Sequence, residues 1–275
     1  MSGQTPDGRA AGPLPPDFEI VGGEDREGVL IRDVRIPPSG AGEPIEAYLI
    51  EPATVDARAT RPALLFAHWF DTNAPNGNRT QFIDEAVDWA RRHNAAAILP
   101  QLTFPWQGDP TGSTADRELV TAEVNRLRRC LDVVLARPAI DPTRLAVVGH
   151  DFGAMHAALL ATADRRPSTY VLIAAVPRWA DWFLPFWQIE EDRIDYLAGM
   201  RAVDPIEHVG RAAPATVFLQ FARGDFFIAP MTGLELKRAA GEGAELKAYE
   251  AEHSMAVPEA VADRTAFLEG ALRPG

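Results

Sequence analysis

Asp151 stands in the middle of Gly149-His150-Asp151-Phe152-Gly153, within the run RLAVVGHDFGAMHAALLA at 144–161. An aliphatic stretch precedes this pattern and an Ala/Leu-rich stretch follows it. The spacing therefore predicts a strand, a tight turn and a helix. Glycines at 149 and 153 let such a turn close without Cβ clashes. The turn lifts the middle side chain above the sheet in a strained conformation. It also places that side chain at a helix N-terminus, where free N–H groups and the helix dipole favour an anion. A carboxylate there is expected to stay ionised and to be nucleophilic. Capping the helix is the plainer use of an aspartate, but a cap does not need glycine on both sides.

A carboxylate at such a bend differs from a hydroxyl. Attack on a carbonyl gives a mixed anhydride, whereas attack on an sp³ carbon bearing a leaving group gives an ordinary ester. Other chemistry leaves no mark. The chain has no HExxH, no cysteine pair, no EF-hand loop, no GxGxxG after a strand and no phosphate loop, so neither a metal nor a cofactor is expected. A second feature is aromatic. Trp179, Trp182, Phe183, Phe186, Trp187 and Tyr196 crowd the segment 177–214, and Trp106 lies in a Pro/Gly-rich loop at 100–113. Trp106, Trp179, Trp182, Trp187 and Tyr196 are expected either to line an apolar substrate pocket or to be ordinary core.

The elements that must position these groups follow from periodicity. Val29–Ile36 and 45–50 alternate around PSGAGEP and predict a hairpin. Continuous apolar runs at 62–67, 95–99, 144–148, 170–176 and 215–221 predict strands covered on both faces, with a sixth at 246–250. Helical patterns occupy 80–93, 114–136, the stretch from the motif to about 163, and 258–272. Strands alternating with helices predict an α/β class with a mostly parallel sheet and helices on both faces. Segment 177–214 breaks that alternation. An insertion there emerges at the carboxyl ends of the strands, where open α/β sheets place ligands, and about 177–205 is expected to be a short lid.

The 275 residues suit one large domain at 19–275 behind a Pro/Gly-rich arm at 1–18 that reads as flexible and lacks the apolar core of a signal peptide. Lys plus Arg number 27 and Asp plus Glu 39, a net charge of −12, which argues against nucleic acid and anionic membranes. The lone cysteine, Cys130, falls on the apolar face of a helical pattern and reads as core. A cytoplasmic enzyme with a small-molecule substrate is expected, with no nucleic-acid or membrane partner and a homodimer left open.

The pattern around Asp151 resembles the nucleophile elbow of the α/β-hydrolase superfamily, and the body of the chain, over about 25–273, resembles its dienelactone-hydrolase-like and acyl-peptidase-like branch. That superfamily orders its triad as nucleophile, acid, histidine. The resemblance implies Asp225, in FLQFARGDFFIAP after the fifth strand, as the acid. It implies His253, in YEAEHSMAVPEA after the sixth, as the histidine. An ordinary turn aspartate and a surface histidine are the plainer readings of those two residues. Segment 196–214 resembles the stretch preceding the acid strand, with Asp204-Pro205 as a turn or helix start. His68-Trp69-Phe70 stands where the family usually has His-Gly-x. The backbone N–H of Trp69 or Phe70, with that of Phe152, would form an oxyanion hole or hold a leaving group. His68 and His150 are expected to be structural.

Aspartate at the elbow is the pattern of haloalkane dehalogenases and epoxide hydrolases of this fold. Three readings stay open. In the first, Asp151 forms an alkyl-enzyme ester with a halide or epoxide, and water activated by His253–Asp225 hydrolyses it. In the second, an ester or lactone hydrolase, or a related lyase, uses Asp151 as base or covalent catalyst. In the third, the fold persists as a non-catalytic binding module.

Overall fold

The computed structural model describes residues 17–38, 40, 42–56, 58–73, 78–187, 192–229 and 231–274. The proposed arm falls on 1–16, outside the described residues, and on Asp17 and Phe18. Phe18 already packs against the core, its ring 5.6 Å from the Arg137 guanidinium.

Nine strands form one sheet: β1 (Glu19–Arg26), β2 (Val29–Ile36), β3 (Ile45–Pro52), β4 (Arg61–Ala67), β5 (Ala96–Pro100), β6 (Ile140–His150), β7 (Thr169–Ile173), β8 (Thr216–Ala222) and β9 (Glu245–Tyr249). Their order is β1-β2-β3-β5-β4-β6-β7-β8-β9. The first three run antiparallel, β3 pairs antiparallel with β5, and every later pair is parallel. The strand alternation expected from the sequence is present, with one strand more. β1 escaped the sequence because EIVGGEDR is exposed almost throughout and so carries no alternation.

Helices α1 (Ile83–His93), α2 (Ala115–Leu135), α3 (Phe152–Ala163), α4 (Ala180–Phe186), α5 (Arg193–Met200), α6 (Pro205–His208), α7 (Met231–Ala240) and α8 (Pro258–Ala271) follow in chain order. α1 and α8 share one face of the sheet, tied by ion pairs from Arg264 to Glu85 and from Arg92 to Glu269. α2, α3 and α7 cover the other face. α7 was missed because MTGLELKRAA buries only Gly233 and Leu236. α3 is buried on nearly every side, which is why its sequence is apolar all round rather than striped. Cys130 is buried on α2.

The core lies on both faces of β4, β6 and β7, whose central residues are fully buried. From β4 the chain steps to β5 on one side, then crosses to β6 on the other. Loops leaving the carboxyl ends of β4 and β6 thus diverge, opening a crevice at the switch of strand order. Segment 177–205 holds α4 and α5, and Asp204 precedes α6 with Pro205 at its first turn. Among the described residues no helix is long and apolar enough to cross a membrane.

Candidate active site

The elbow is built by close approach. A Cβ on Gly149 would lie 2.6 Å from the Ala154 Cα, and one on Gly153 would overlap the Ala67 and His68 carbonyl oxygens. Only glycine lets α3 start this close to the ends of β4 and β6. Asp151 takes φ 54° and ψ −121°, a conformation that non-glycine residues rarely adopt. Its N–H donates to the Ile173 carbonyl at 2.8 Å, and its carbonyl accepts from the Met155 N–H at 3.0 Å. The side chain does not cap α3. Instead Oδ2 accepts from the Phe70 N–H at 3.1 Å, and Oδ1 is buried without a partner among the described residues.

The acid and histidine loops are zipped together. Gly224 N–H donates to the Ala251 carbonyl at 3.0 Å and Arg223 N–H to the Tyr249 carbonyl at 2.8 Å. Asp225 Oδ1 accepts from the N–H groups of Phe227 and Ile228 at 2.8 and 3.0 Å, which fixes its carboxylate. Its Oδ2 accepts from His253 Nδ1–H at 2.9 Å. His253 Nε2 is thereby aimed at the elbow, 3.8 Å from Asp151 Oδ2. The structure brings Asp151, His253 and Asp225 together from the ends of β6, β9 and β8.

The charge states follow from these contacts. Burial opposes protonation of His253, but the carboxylates of Asp151 and Asp225 outweigh it and raise its pKa to about 9. Burial also raises the pKa of Asp151, against the opposing pull of His253 and the N–H groups of Phe70 and Phe152. The N–H groups of Phe70 and Phe152 favour the anion, as expected at a helix start, while burial acts against it.

The loop after β4 departs from the expected donor arrangement. Trp69 N–H donates to Gln81 Oε1 at 2.8 Å and does not reach the elbow. Of the expected donors, Phe70 and Phe152 face the site. The Trp69 ring packs against both His150 and His253, at centroid distances of 5.3 and 5.9 Å, and the two histidine rings are themselves 5.5 Å apart. His68 is buried with both ring nitrogens engaged: Nδ1–H donates to the Trp69 carbonyl and Nε2 accepts from the Leu102 N–H. Burial lowers its pKa to about 3. His150 Nε2–H donates to the His253 carbonyl at 2.9 Å, and its pKa is pushed down by burial.

A cavity of about 680 Å³ opens above the carboxylate. Trp182 and Trp187 line it, as do Trp69 and Phe70. Trp106, Trp179 and Tyr196, expected on its wall, are elsewhere. Trp106 lies behind Phe70, with Nε1–H donating to Asn78 Oδ1 at 2.8 Å. Trp179 is fully buried and donates to the Val203 carbonyl at 2.7 Å. Tyr196 is buried with its hydroxyl on Asp116 Oδ2 at 2.9 Å. Sequence reasoning missed Phe226 and Phe227, which complete the wall. The doublet directly follows Asp225, and an apolar pair inside an acid turn was the available signal. It also missed Gln81, whose role depends on contacts distant in sequence. Among the described residues no group of His, Cys, Asp and Glu is arranged to hold a metal ion.

No family model matches the chain, and no curated protein matches it in sequence. Solved structures do. An acetyl xylan esterase from Paenibacillus sp. R4 superposes with a TM-score of 0.71 at 19% identity, over 95% of this chain and 90% of that one. Acetyl xylan esterase 1 from Thermoanaerobacterium sp. JW/SL YS485 gives 0.69 at 14%, over 93% and 88%. A protein of Klebsiella pneumoniae subsp. pneumoniae MGH 78578, assigned as a dienelactone hydrolase, gives 0.63 at 20%, over 89% and 98%. The identities are low, so the likeness speaks to architecture. Together with the strand order and the sharp turn after β6, it shows that this chain has the α/β-hydrolase fold.

Proposed function

We propose that the chain is a hydrolase of small carboxylic esters or lactones, with Asp151 as base and His253, held by Asp225, as acid. One observation carries this reading: a buried carboxylate and an imidazole with its pKa raised to about 9 lie side by side at the floor of an apolar cavity. At neutral pH that pair is a base next to an acid. Asp151, through Oδ1, takes a proton from water as the water oxygen bonds to the ester carbonyl carbon. The carbonyl oxygen gains the negative charge, opposite the His253 imidazolium. Collapse re-forms the carbonyl and breaks the bond to the alkoxide, which receives the Nε2 proton. The proton on Asp151 then passes to His253, and acid and alcohol leave. The named esterases of the same fold are consistent with this chemistry.

A second reading is favoured by the hydrogen bond from Phe70 N–H to Asp151 Oδ2. With Oδ2 so held, Oδ1 can attack an sp³ carbon and expel halide or open an epoxide, leaving an alkyl ester on Asp151. Alkylation removes one of the two charges that raise the His253 pKa. The imidazole then gives up its proton, to the alkoxide of an opened epoxide or to solvent once halide has left, and becomes the base for water.

Single turnover in H₂¹⁸O, with enzyme in excess, separates the two. The base–acid route puts label into the product carboxylate. The alkyl route puts it into the peptide containing Asp151, and His253→Gln then accumulates an alkyl adduct on that peptide. If esters, lactones, halides and epoxides all go unreacted while a small molecule raises the melting temperature, the chain is a binding module and both routes fail.

A further inference from the structure

Among the described residues, the cavity wall joins aromatic rings to carboxylates and contains neither lysine nor arginine. Phe70 comes from the loop after β4, Trp182 and Trp187 from the lid, and Phe226 and Phe227 from the loop after β8. Trp187 is anchored by Nε1–H donating to Asp109 Oδ1 at 3.0 Å. Phe226 and Phe227 are 87% and 48% exposed, so their rings meet whatever enters.

Two carboxylates beside Asp151 complete the lining. Asp71 leaves the loop after β4, and Glu252 precedes His253. Neither forms an ion pair among the described residues; Asp71 Oδ1 accepts only the Asn73 N–H, at 2.9 Å. The Asp71 backbone is itself fixed by donating to Asn78 Oδ1 at 2.6 Å. Among the described residues the only cation on the wall is His253, which already lies between two carboxylates.

An anionic substrate would meet three carboxylates here. A cation instead meets ring faces whose quadrupole attracts it, unpaired negative charge, and the long-range field of a chain carrying −12. We propose that the site accepts substrates whose ester is joined to a cationic head group, a quaternary or alkylated ammonium. The ester reaches Asp151 and His253, and the head group sits among Phe226, Phe227 and Trp187 near Asp71 and Glu252. This substrate class rests on the hydrolase reading for its chemistry, but the binding of the head group does not.

The test uses the full chain and a charged–neutral pair of equal shape. Choline and 3,3-dimethyl-1-butanol are titrated by tryptophan fluorescence, and their acetate esters are compared as substrates. Choline is expected to bind about ten-fold more tightly than its carbon isostere, with a similar preference in kcat/KM for its ester. Asp71→Asn combined with Glu252→Gln should shrink that ratio several-fold, as should high salt. Equal binding of the two alcohols overturns the proposal, whatever the turnover. If neither ester is cleaved yet choline binds selectively, the hydrolase reading fails and the cation site stands. If both esters are cleaved equally and neither alcohol is preferred, the cation site fails and the hydrolase reading stands.

Discussion

Gln81 joins Trp69 to His150: its Oε1 accepts from the Trp69 N–H at 2.8 Å, and its Nε2–H donates to His150 Nδ1 at 2.6 Å. Because His150 Nε2–H then donates to the His253 carbonyl, one amide ties the loop after β4, the end of β6 and the histidine loop into a single network. Gln81→Leu removes an acceptor and a donor from largely buried partners. A loss of about 1–3 kcal/mol in urea unfolding is expected, with a fall in kcat larger than any change in KM. Full activity in this variant would show that the network does not position His253.

The raised pKa of His253 depends on two carboxylates. Asp151→Asn keeps the shape of one and removes its charge. The His253 imidazole, followed by NMR, should then titrate roughly 1–2 units lower. An unchanged midpoint would mean that Asp225 alone holds the proton.

Activity should follow a bell in pH. The rising limb reports ionisation of Asp151, displaced above the ordinary carboxylate range by burial. The falling limb reports loss of the His253 proton near 9. A profile of kcat/KM on an ester measures both limbs. The alkylation route requires only ionised Asp151 for its first step and so lacks the falling limb.

Stability should carry the same signature. His253 has a pKa of about 9 when folded against an ordinary value of 6.5. Its contribution is complete below pH 6.5 and is lost as pH rises through 9. Urea midpoints of the native chain should decline over that window, and His253→Gln should flatten the decline.

Gly153→Ala tests the close approach behind the elbow. The added methyl meets the carbonyl oxygens of Ala67 and His68, which are backbone and cannot turn aside. A loss of about 3 kcal/mol or more is expected in chemical denaturation. Gly108→Ala, where nothing lies within 4 Å of the added carbon, is the control and should unfold like the native chain.

The parallel strands and most of the larger helices were legible in the sequence because burial writes itself into residue type. A strand covered on both faces, such as β4 with PALLFA, must be apolar throughout, and a helix with one wet side, such as α1, must be striped. The bend at Asp151 was legible for a comparable reason: two close backbone approaches admit only glycine, at 149 and 153. Where pressure on side-chain type was weak, as along exposed β1 or lightly buried α7, the pattern was absent. Tertiary structure alone decided the rest. A tryptophan suits a cavity wall or a core equally well by composition, so only packing could send Trp182 to the cavity and Trp179 to the interior. Whether Trp69 N–H meets the elbow or Gln81 is a matter of a few ångströms of backbone path, and residue identity does not encode that. The protonation of His253 likewise arises from two carboxylates far from it in the chain, and such a field exists only once the loops have met.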